Sequence, residues 1–290
     1  MHIPVLTKEV LEYLDPKPGE NFIDCTLGQG GHAKLILEKT SPTGKLLGID
    51  YDQKQIKISK NNLADYGSRL IAENDSYANL EEVVKRNNFG PVNGILLDIG
   101  MSSYHPDESG RGFSFTKDEP LDMRYNTGGD SLTAYQIVNT WNEEDIESIL
   151  RDYGEERFSR KIAREIIAQR KVKKIETTGE LVKVIGKVVR QGKIHFATRT
   201  FQALRIAVNR ELDNLTKVLP QVINILATNG RLVIISFHSL EDRIVKNYLR
   251  DLKKENRIEI LTKKPVIASM GEIRDNPRSR SAKLRAVIKN

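Results

Sequence analysis

The chain divides by periodicity before any single residue is weighed. Between residues 21 and 98, short and nearly all-apolar runs alternate with segments whose apolar positions recur every three to four residues, which are the marks of buried strands and amphipathic helices. The spacing predicts strands over 21–25, 45–50, 69–74 and 92–98, helices over 31–39, 53–64 and 77–87, and a short leading helix over 5–14. Strands that are apolar on both faces and joined through helices belong to a parallel sheet covered on both sides. After Asp98 the alternation stops, and 99–135 turns rich in Gly, Ser, Asp and aromatic residues. A loop that long is functional or disordered, and the apolar anchors in RGFSF (111–115) and PLDMR (120–124) argue for order. Helical spacing resumes over 135–141, 143–153, 155–171 and 178–190, the last opened by Thr177 and Glu180 as a capping box. Two more helices, near 197–215 and 219–227, lead to a strand over 231–236, a helix over 240–254 capped by Ser239 with Asp242, and strands over 258–261 and 284–288. The pattern predicts an α/β fold with a seven-stranded, mostly parallel sheet built from 1–103 and 198–290, interrupted by an all-helical insertion, 104–197.

Polar residues gather where the predicted strands end, the edge at which such sheets bind ligands. The first strand ends in Asp24 and passes into Gly28, Gly30 and Gly31, then into a helix whose free N–H groups would point at a ligand. Ala33 stands where the third glycine of a dinucleotide fingerprint would be, so the loop alone fits either NAD or S-adenosylmethionine. Asp24 favours the second, because an acid there could reach a cationic amino-acid group, although a turn needing glycines only for geometry is the plainer alternative. Asp50, about twenty residues past the loop, suits both hydroxyls of an adenosine ribose, or else caps a helix. Asn74, Asp75 and Asp98 end the next two strands, and Tyr77 could stack on an adenine or simply pack at a helix start.

Composition narrows the class. With 290 residues, 39% of them hydrophobic, the chain can bury a full core, and no run approaches the length of a membrane span. Nothing supports export, so a cytoplasmic location is expected. The one cysteine, Cys25, excludes an internal disulfide or a multi-cysteine zinc site, reads as a small packed residue, and leaves no structural metal expected. The net charge of +7 is uneven: residues 1–100 carry 11 Lys and Arg against 14 Asp and Glu, and 101–150 carry 3 against 10, whereas 151–210 carry 16 against 6 and 241–290 carry 14 against 7. Two basic segments set against an acidic front half favour a phosphate-backbone partner over a merely solvated surface.

A further set of motifs runs through nearly the whole chain: HIPVL at 2–6, DCTLGQGGH at 24–32, LLDIGMSS at 96–103, RGFSF and PLDMR between 111 and 124, YGEER at 153–157, ATRTFQALRIAVNREL at 197–212, ISFHSLEDRIVK at 235–246 and NPRSRSAKLR at 276–285. In these the chain resembles the MraW/RsmH family of bacterial small-subunit ribosomal RNA cytosine N4-methyltransferases. The resemblance implies a class I, Rossmann-like methyltransferase core with an inserted helical substrate-recognition domain. It implies methylation of the exocyclic amine of a decoding-region cytosine in 16S rRNA, with S-adenosylmethionine as cofactor and 16S rRNA or the small ribosomal subunit as partner. A homodimer is left open. The family's cofactor contacts carry over to Gly30, Gly31, His32, Asp50, Tyr77, Asp98 and His105. Tyr104-His105 stands where the family usually has Pro-Gln, so the last contact falls on a changed residue; Gln29, Tyr77 and Phe196 stand for a common Arg, Phe and Pro.

Transfer from an activated sulfonium is mostly positioning, but a cytosine amine conjugated to its ring is a poor nucleophile and needs a polar acceptor for its proton. The motif Asp-Ile-Gly-Met-Ser-Ser at 98–103 takes the place where amino-methyltransferases often carry [DNS]-P-P-[YF]. Asp98, Ser102 and Ser103 are expected to border methyl transfer, with Arg111, Asp122, Arg124 and His238 lining the base pocket. Each has a plainer reading: turn-forming serines, an Asp122–Arg124 ion pair that only holds structure, a capping His238. Two other classes remain, a noncatalytic RNA-binding assembly factor that keeps the pocket as a sensor, and a small-molecule or protein methyltransferase. The basic insertion speaks against the latter, and the acidic strand ends beside the glycine loop against the former.

Overall fold

A computed structural model describes residues 4–128, 131–192 and 194–290. His2 and Ile3 of the HIPVL motif, Gly129 and Asp130 of the long loop, and Lys193 of the insertion lie outside the described residues. The chain forms two compact units, Met1–Gly100 with Leu212–Asn290, and Met101–Glu211.

The first unit begins with α1 (Thr7–Leu14), then alternates β1 (Phe22–Asp24), α2 (Gly31–Lys39), β2 (Leu46–Asp50), α3 (Gln53–Asn62), β3 (Leu70–Asn74), α4 (Leu80–Arg86) and β4 (Val92–Asp98). The second unit holds α5 (Tyr104–Asp107), α6 (Ala134–Thr140), α7 (Glu143–Asp152), α8 (Ser159–Val172), α9 (Thr178–Gly186) and α10 (Thr198–Asn209). The chain then continues through α11 (Glu211–Ile225), β5 (Leu226–Ser236), α12 (Ser239–Lys254), β6 (Ile258–Ile260), β7 (Val266–Ile267), α13 (Met270–Asp275) and β8 (Lys283–Lys289).

The sheet order is β3-β2-β1-β4-β5-β8-β6, with β7 paired to β8. β1 to β5 run parallel, and β8 is antiparallel to β5, β6 and β7. The expected parallel α/β sheet is therefore present with an eighth strand, because β7 is two residues long and too short to show a period. Side chains alternate across the pleat. Ile23, Leu47, Ile95 and Ile234 pack under α4, α11 and α12, while Phe22, Leu46, Leu96 and Val233 pack under α1, α2 and α3. Asp24, Asp50 and Asp98 terminate their strands, so they share the carboxyl edge.

The second unit has its own core, in which Ile137, Ile146, Ile162 and Leu181 from four helices meet Phe201 and Leu204 of α10. The sequence reading closed the insertion at 197, but α10 packs in this unit, and the units divide after Glu211. Its apolar face packs on α6 and α7, which periodicity alone does not reveal. Other boundaries moved for local reasons. The break expected after 215 falls at Arg210, whose left-handed φ of 51° ends α10, and α11 runs on through Pro220. α8 starts at Ser159 instead of 155, because Glu155 has φ 47° and the Glu156 carboxylate accepts the Phe158 N–H.

Candidate active site

The strand ends are tied together by their own backbone. Asp24 Oδ1 accepts the Thr26 N–H at 3.1 Å, and Thr26 Oγ1 accepts the Asp98 N–H at 2.8 Å, so one threonine joins the ends of β1 and β4. Sequence reading passed over Thr26; the signal was a hydroxyl two residues after an aspartate at a strand end, a position where such side chains bind local backbone. Asp50 Oδ2 accepts the Gly28 N–H and Oδ1 the Asp52 N–H, both at 2.8 Å, so this carboxylate pins the glycine loop to the end of β2. Asp52, not Asp50, caps α3, accepting the Lys54 N–H. Asn74 closes the row by donating to the Asp50 and Tyr51 carbonyls, and Tyr77 opens a short 3-10 turn beside it.

Gly30 caps α2 at φ 87°, and a Cβ there would stand 2.7 Å from Leu63 Cδ1. Backbone conformation and packing both require glycine at this point. The glycines thus serve geometry as well as any ligand, and the helix they open presents uncapped N–H groups to the edge.

The charge balance of this edge is unresolved within the protein. Burial pushes the Asp24 carboxyl up to about 6, against the pull of His32 and the Thr26 N–H. Burial likewise pushes Asp50 up to about 7, opposed by the Asp52 and Gly28 N–H groups. His32, at the start of α2, places Nε2 3.6 Å from Asp98 Oδ2, beyond a hydrogen bond. Both His32 ring nitrogens and Asp98 Oδ1 are buried and have no hydrogen-bond partner among the described residues. Orphaned buried groups of this kind are costly, and a ligand bearing an ammonium and a carboxylate would complete them. That is the fit expected of the amino-acid end of S-adenosylmethionine, with Asp50 left to take hydroxyl donors. Cys25 is buried beside this row, and burial pushes its thiol well up, so it is a packed residue and no nucleophile.

His238 follows β5 and caps α12: its Nδ1 accepts the Glu241 N–H at 3.4 Å, and Glu241 Oε2 returns to the Phe237 N–H at 2.8 Å. The cap expected from Ser239 and Asp242 is therefore shifted by one residue, because His238 has the extended backbone a cap needs. Asp242 instead receives the Arg285 guanidinium at 2.7 and 3.2 Å.

The remaining candidates lie in the second unit. Ser102 and Ser103 lead into α5, and the Ser102 carbonyl accepts the His105 N–H. His105 is buried, with its ring 4.8 Å from that of Tyr125 and 5.1 Å from that of Phe113. Arg124 grips Asp122 in a fork, Nε to Oδ1 and Nη2 to Oδ2 at 2.8 Å each. Burial opposes ionisation of Asp122, but the fork outweighs it and holds the carboxyl below its ordinary value. Arg111 Nη1 donates to the carbonyls of Arg124 and Tyr125, and its guanidinium lies over the Tyr104 and Phe113 rings. Gly112 makes this clasp possible: at φ 76°, a Cβ there would meet the Pro120 carbonyl at 2.3 Å. RGFSF and PLDMR are thus two sides of one internal clasp.

Comparison with known proteins adds identity to this geometry. A relative from Clostridium botulinum (strain Kyoto / Type A2), named ribosomal RNA small subunit methyltransferase H, is 47% identical over 99% of this chain and 98% of its own. A namesake from Sulfurihydrogenibium sp. (strain YO3AOP1) is 48% identical over 98% and 97%. A solved structure from Clostridium thermocellum, described as a candidate rRNA methylase, superposes with a TM-score of 0.50 at 11% identity, covering 100% of both chains, and supports the fold alone. The model of the MraW methylase family matches residues 1–290. The chain belongs to the MraW methylase family, a family of S-adenosylmethionine-dependent methyltransferases.

Proposed function

We propose that the chain methylates the N4 amine of a cytosine in the decoding region of 16S ribosomal RNA, acting in the cytoplasm on that RNA or on the small subunit. The relatives' shared name supports the ribosomal substrate, and the resemblance to cytosine N4-methyltransferases supports the base. The observation that carries the chemistry is the orphaned Asp98 Oδ1 at the end of β4, a buried acceptor with capacity to spare.

When bound, S-adenosylmethionine supplies a methyl group already activated for displacement. Gly30, Gly31, His32, Asp50, Tyr77 and Asp98 would hold it, with His105 the family's remaining contact. Asp98 orients the ligand's ammonium with one oxygen and offers the other toward the incoming amine. Ser102 and Ser103, four and five residues on, supply hydroxyls that can accept a hydrogen bond from the amine as its new bond forms, while the proton itself leaves to Asp98 or to water. Arg111, Asp122 and Arg124 act by keeping the base-binding loop in one shape, since Arg124 forks Asp122 and Arg111 Nη1 donates to the Arg124 and Tyr125 carbonyls. His238 fixes the start of α12. Mass mapping of cytosines in 16S rRNA from a deletion strain tests this reading. One N4-methyl mark should vanish and return on complementation, and an unaltered cytosine pattern would overturn it.

A further inference from the structure

A second feature lies on the carboxyl edge of the core unit. β8 runs against β5 so that Leu284 pairs with Ile235 and Lys283 with Ser236, while Asp98 pairs with Ile235 from the other side. The start of β8 therefore stands level with the row of strand-end carboxylates. β7 pairs Ile267 with Lys283, and α13 and the 3-10 turn Pro277–Ser281 precede β8 at this same end. Glu272 of α13 accepts the Leu6 N–H at 2.7 Å, and Pro4, two residues earlier, is the group a Gly31 Cβ would meet at 3.0 Å. The segment is thus fastened to the flank of the glycine loop.

Its surface is unlike the rest of that edge. Residues 263–283 carry six Lys and Arg against two Asp and Glu. Lys263, Lys264 and Arg280 are exposed and form no ion pair among the described residues. Near them in sequence, Ile267 is 64% and Met270 82% exposed, so two apolar side chains stand in solvent on this segment. In the basic run of the insertion Arg170 donates to the Val138 carbonyl and Lys173 pairs with Glu180 at 2.5 Å, while Lys171 and Lys174 are exposed. Free cations spaced around exposed apolar groups match a strand that offers phosphates on one side and unstacked bases on the other.

We propose that β7, α13 and the turn before β8 form a docking surface for single-stranded RNA flanking the target base, delivering it to the carboxyl edge. This rests on the RNA-methylating reading above and adds where the RNA lies. The phosphate backbone meets Lys263, Lys264 and Arg280, and Ile267 and Met270 contact base faces.

The test compares the full chain with Lys263→Ala/Lys264→Ala/Arg280→Ala, and with Arg250→Ala/Lys253→Ala/Lys254→Ala, which removes the same charge from the opposite end of α12. The probe is protein-free small-subunit rRNA, read by filter binding across a salt series and by methyl incorporation. The first variant should bind roughly tenfold more weakly near 0.1 M salt, with a log–log salt slope shallower by about 2, since each lost contact to single-stranded nucleic acid removes about 0.7. Its apparent KM should rise while kcat at saturating RNA and cofactor affinity stay unchanged, and the control variant should match the parent. Met270→Ser should weaken binding without altering the slope. Equal weakening by both triple variants, or none by the first, overturns the docking surface. So does intact RNA binding with lost affinity for anionic phospholipid vesicles. A parent that binds this RNA but transfers no methyl group to it would sink the reading of the reaction, while the binding comparison still decides the surface.

Discussion

The clasp of Arg111, Asp122 and Arg124 and the strand ends Asp24, Asp50 and Asp98 are both partly buried polar clusters, yet the first is the more nearly closed on itself. In the clasp a planar guanidinium matches a carboxylate at two points, and a second guanidinium is consumed by backbone carbonyls and ring faces. At the strand ends three carboxylates converge with one histidine, two of them titrate well above their ordinary range, and an Asp98 oxygen is left over. Polar groups that the fold satisfies are there to hold the fold, whereas polar groups that it assembles and leaves short are there for something else.

Breaking the closed cluster should have the largest effect. Gly112→Ala forces a left-handed φ on a residue with a side chain and drives it into the Pro120 carbonyl. The second unit should lose about 3 kcal/mol or more, from strain plus the displaced clasp. Urea unfolding with segment-resolved hydrogen exchange checks this, and unchanged protection across 111–125 would show that the clasp does not depend on the turn.

Opening the other cluster acts on ligand binding instead. Asp50→Ala removes the proposed acceptor for ribose hydroxyls and the tie to the Gly28 N–H. S-adenosylmethionine affinity should fall by about 1.5–3 kcal/mol. Calorimetric titration checks it, NAD serving as a ligand that should not saturate the site.

Asp24 sharpens the contrast through pH. Its folded carboxyl titrates near 6 and an unfolded one near 3.8, so folding takes up a proton between those values and stability falls as pH rises through that window. Asp24→Asn keeps the acceptor for Thr26 but carries no charge. At pH 8 it should stabilise the ligand-free protein by about 3 kcal/mol, and near pH 4 most of that difference should vanish. Thermal unfolding at the two pH values decides; a destabilised variant at pH 8 would mean that the ionised carboxylate is already compensated.

The two clusters were not equally legible in the sequence. The carboxyl edge could be read because strand ends are announced by apolar runs and an acid at each terminus is a local signal. Asp24, Asp50 and Asp98 stand where the pattern put them. Thr26 was missed because its partner, the Asp98 N–H, is seventy-two residues away, and no local pattern encodes that pairing. The insertion's helices were visible from their period, but α10 was assigned to the wrong unit, since an amphipathic stripe says that a face is buried and not against what. For Asp122 and Arg124 the sequence offered a pocket lining and an ion pair at once, and only the folded structure shows the fork.

Asp98 carries the smallest expected effect and the finest distinction. It has an oxygen 3.6 Å from His32 and another with no partner, so its charge could serve the cofactor's ammonium or the proton lost by the amine. Asp98→Asn keeps the shape and removes the charge. If the residue mainly anchors the cofactor, affinity should drop by about tenfold, close to 1.4 kcal/mol, while single-turnover methylation of 16S rRNA at saturating cofactor stays near the parent rate. If it takes the proton, affinity should hold and that rate should collapse by roughly a hundredfold, about 2.7 kcal/mol of barrier. We expect anchoring, because Asp98 Oδ1 is a buried acceptor left without a hydrogen-bond partner, and an arriving ammonium would complete it. The neighbouring row makes the same point, for Asp24 and Asp50 already resist ionisation and a further uncompensated charge beside them is worth most when a cation arrives. Rapid-quench turnover with the Asn variant, set beside its calorimetric affinity, therefore reports whether the open cluster is built for the ligand or for the reaction.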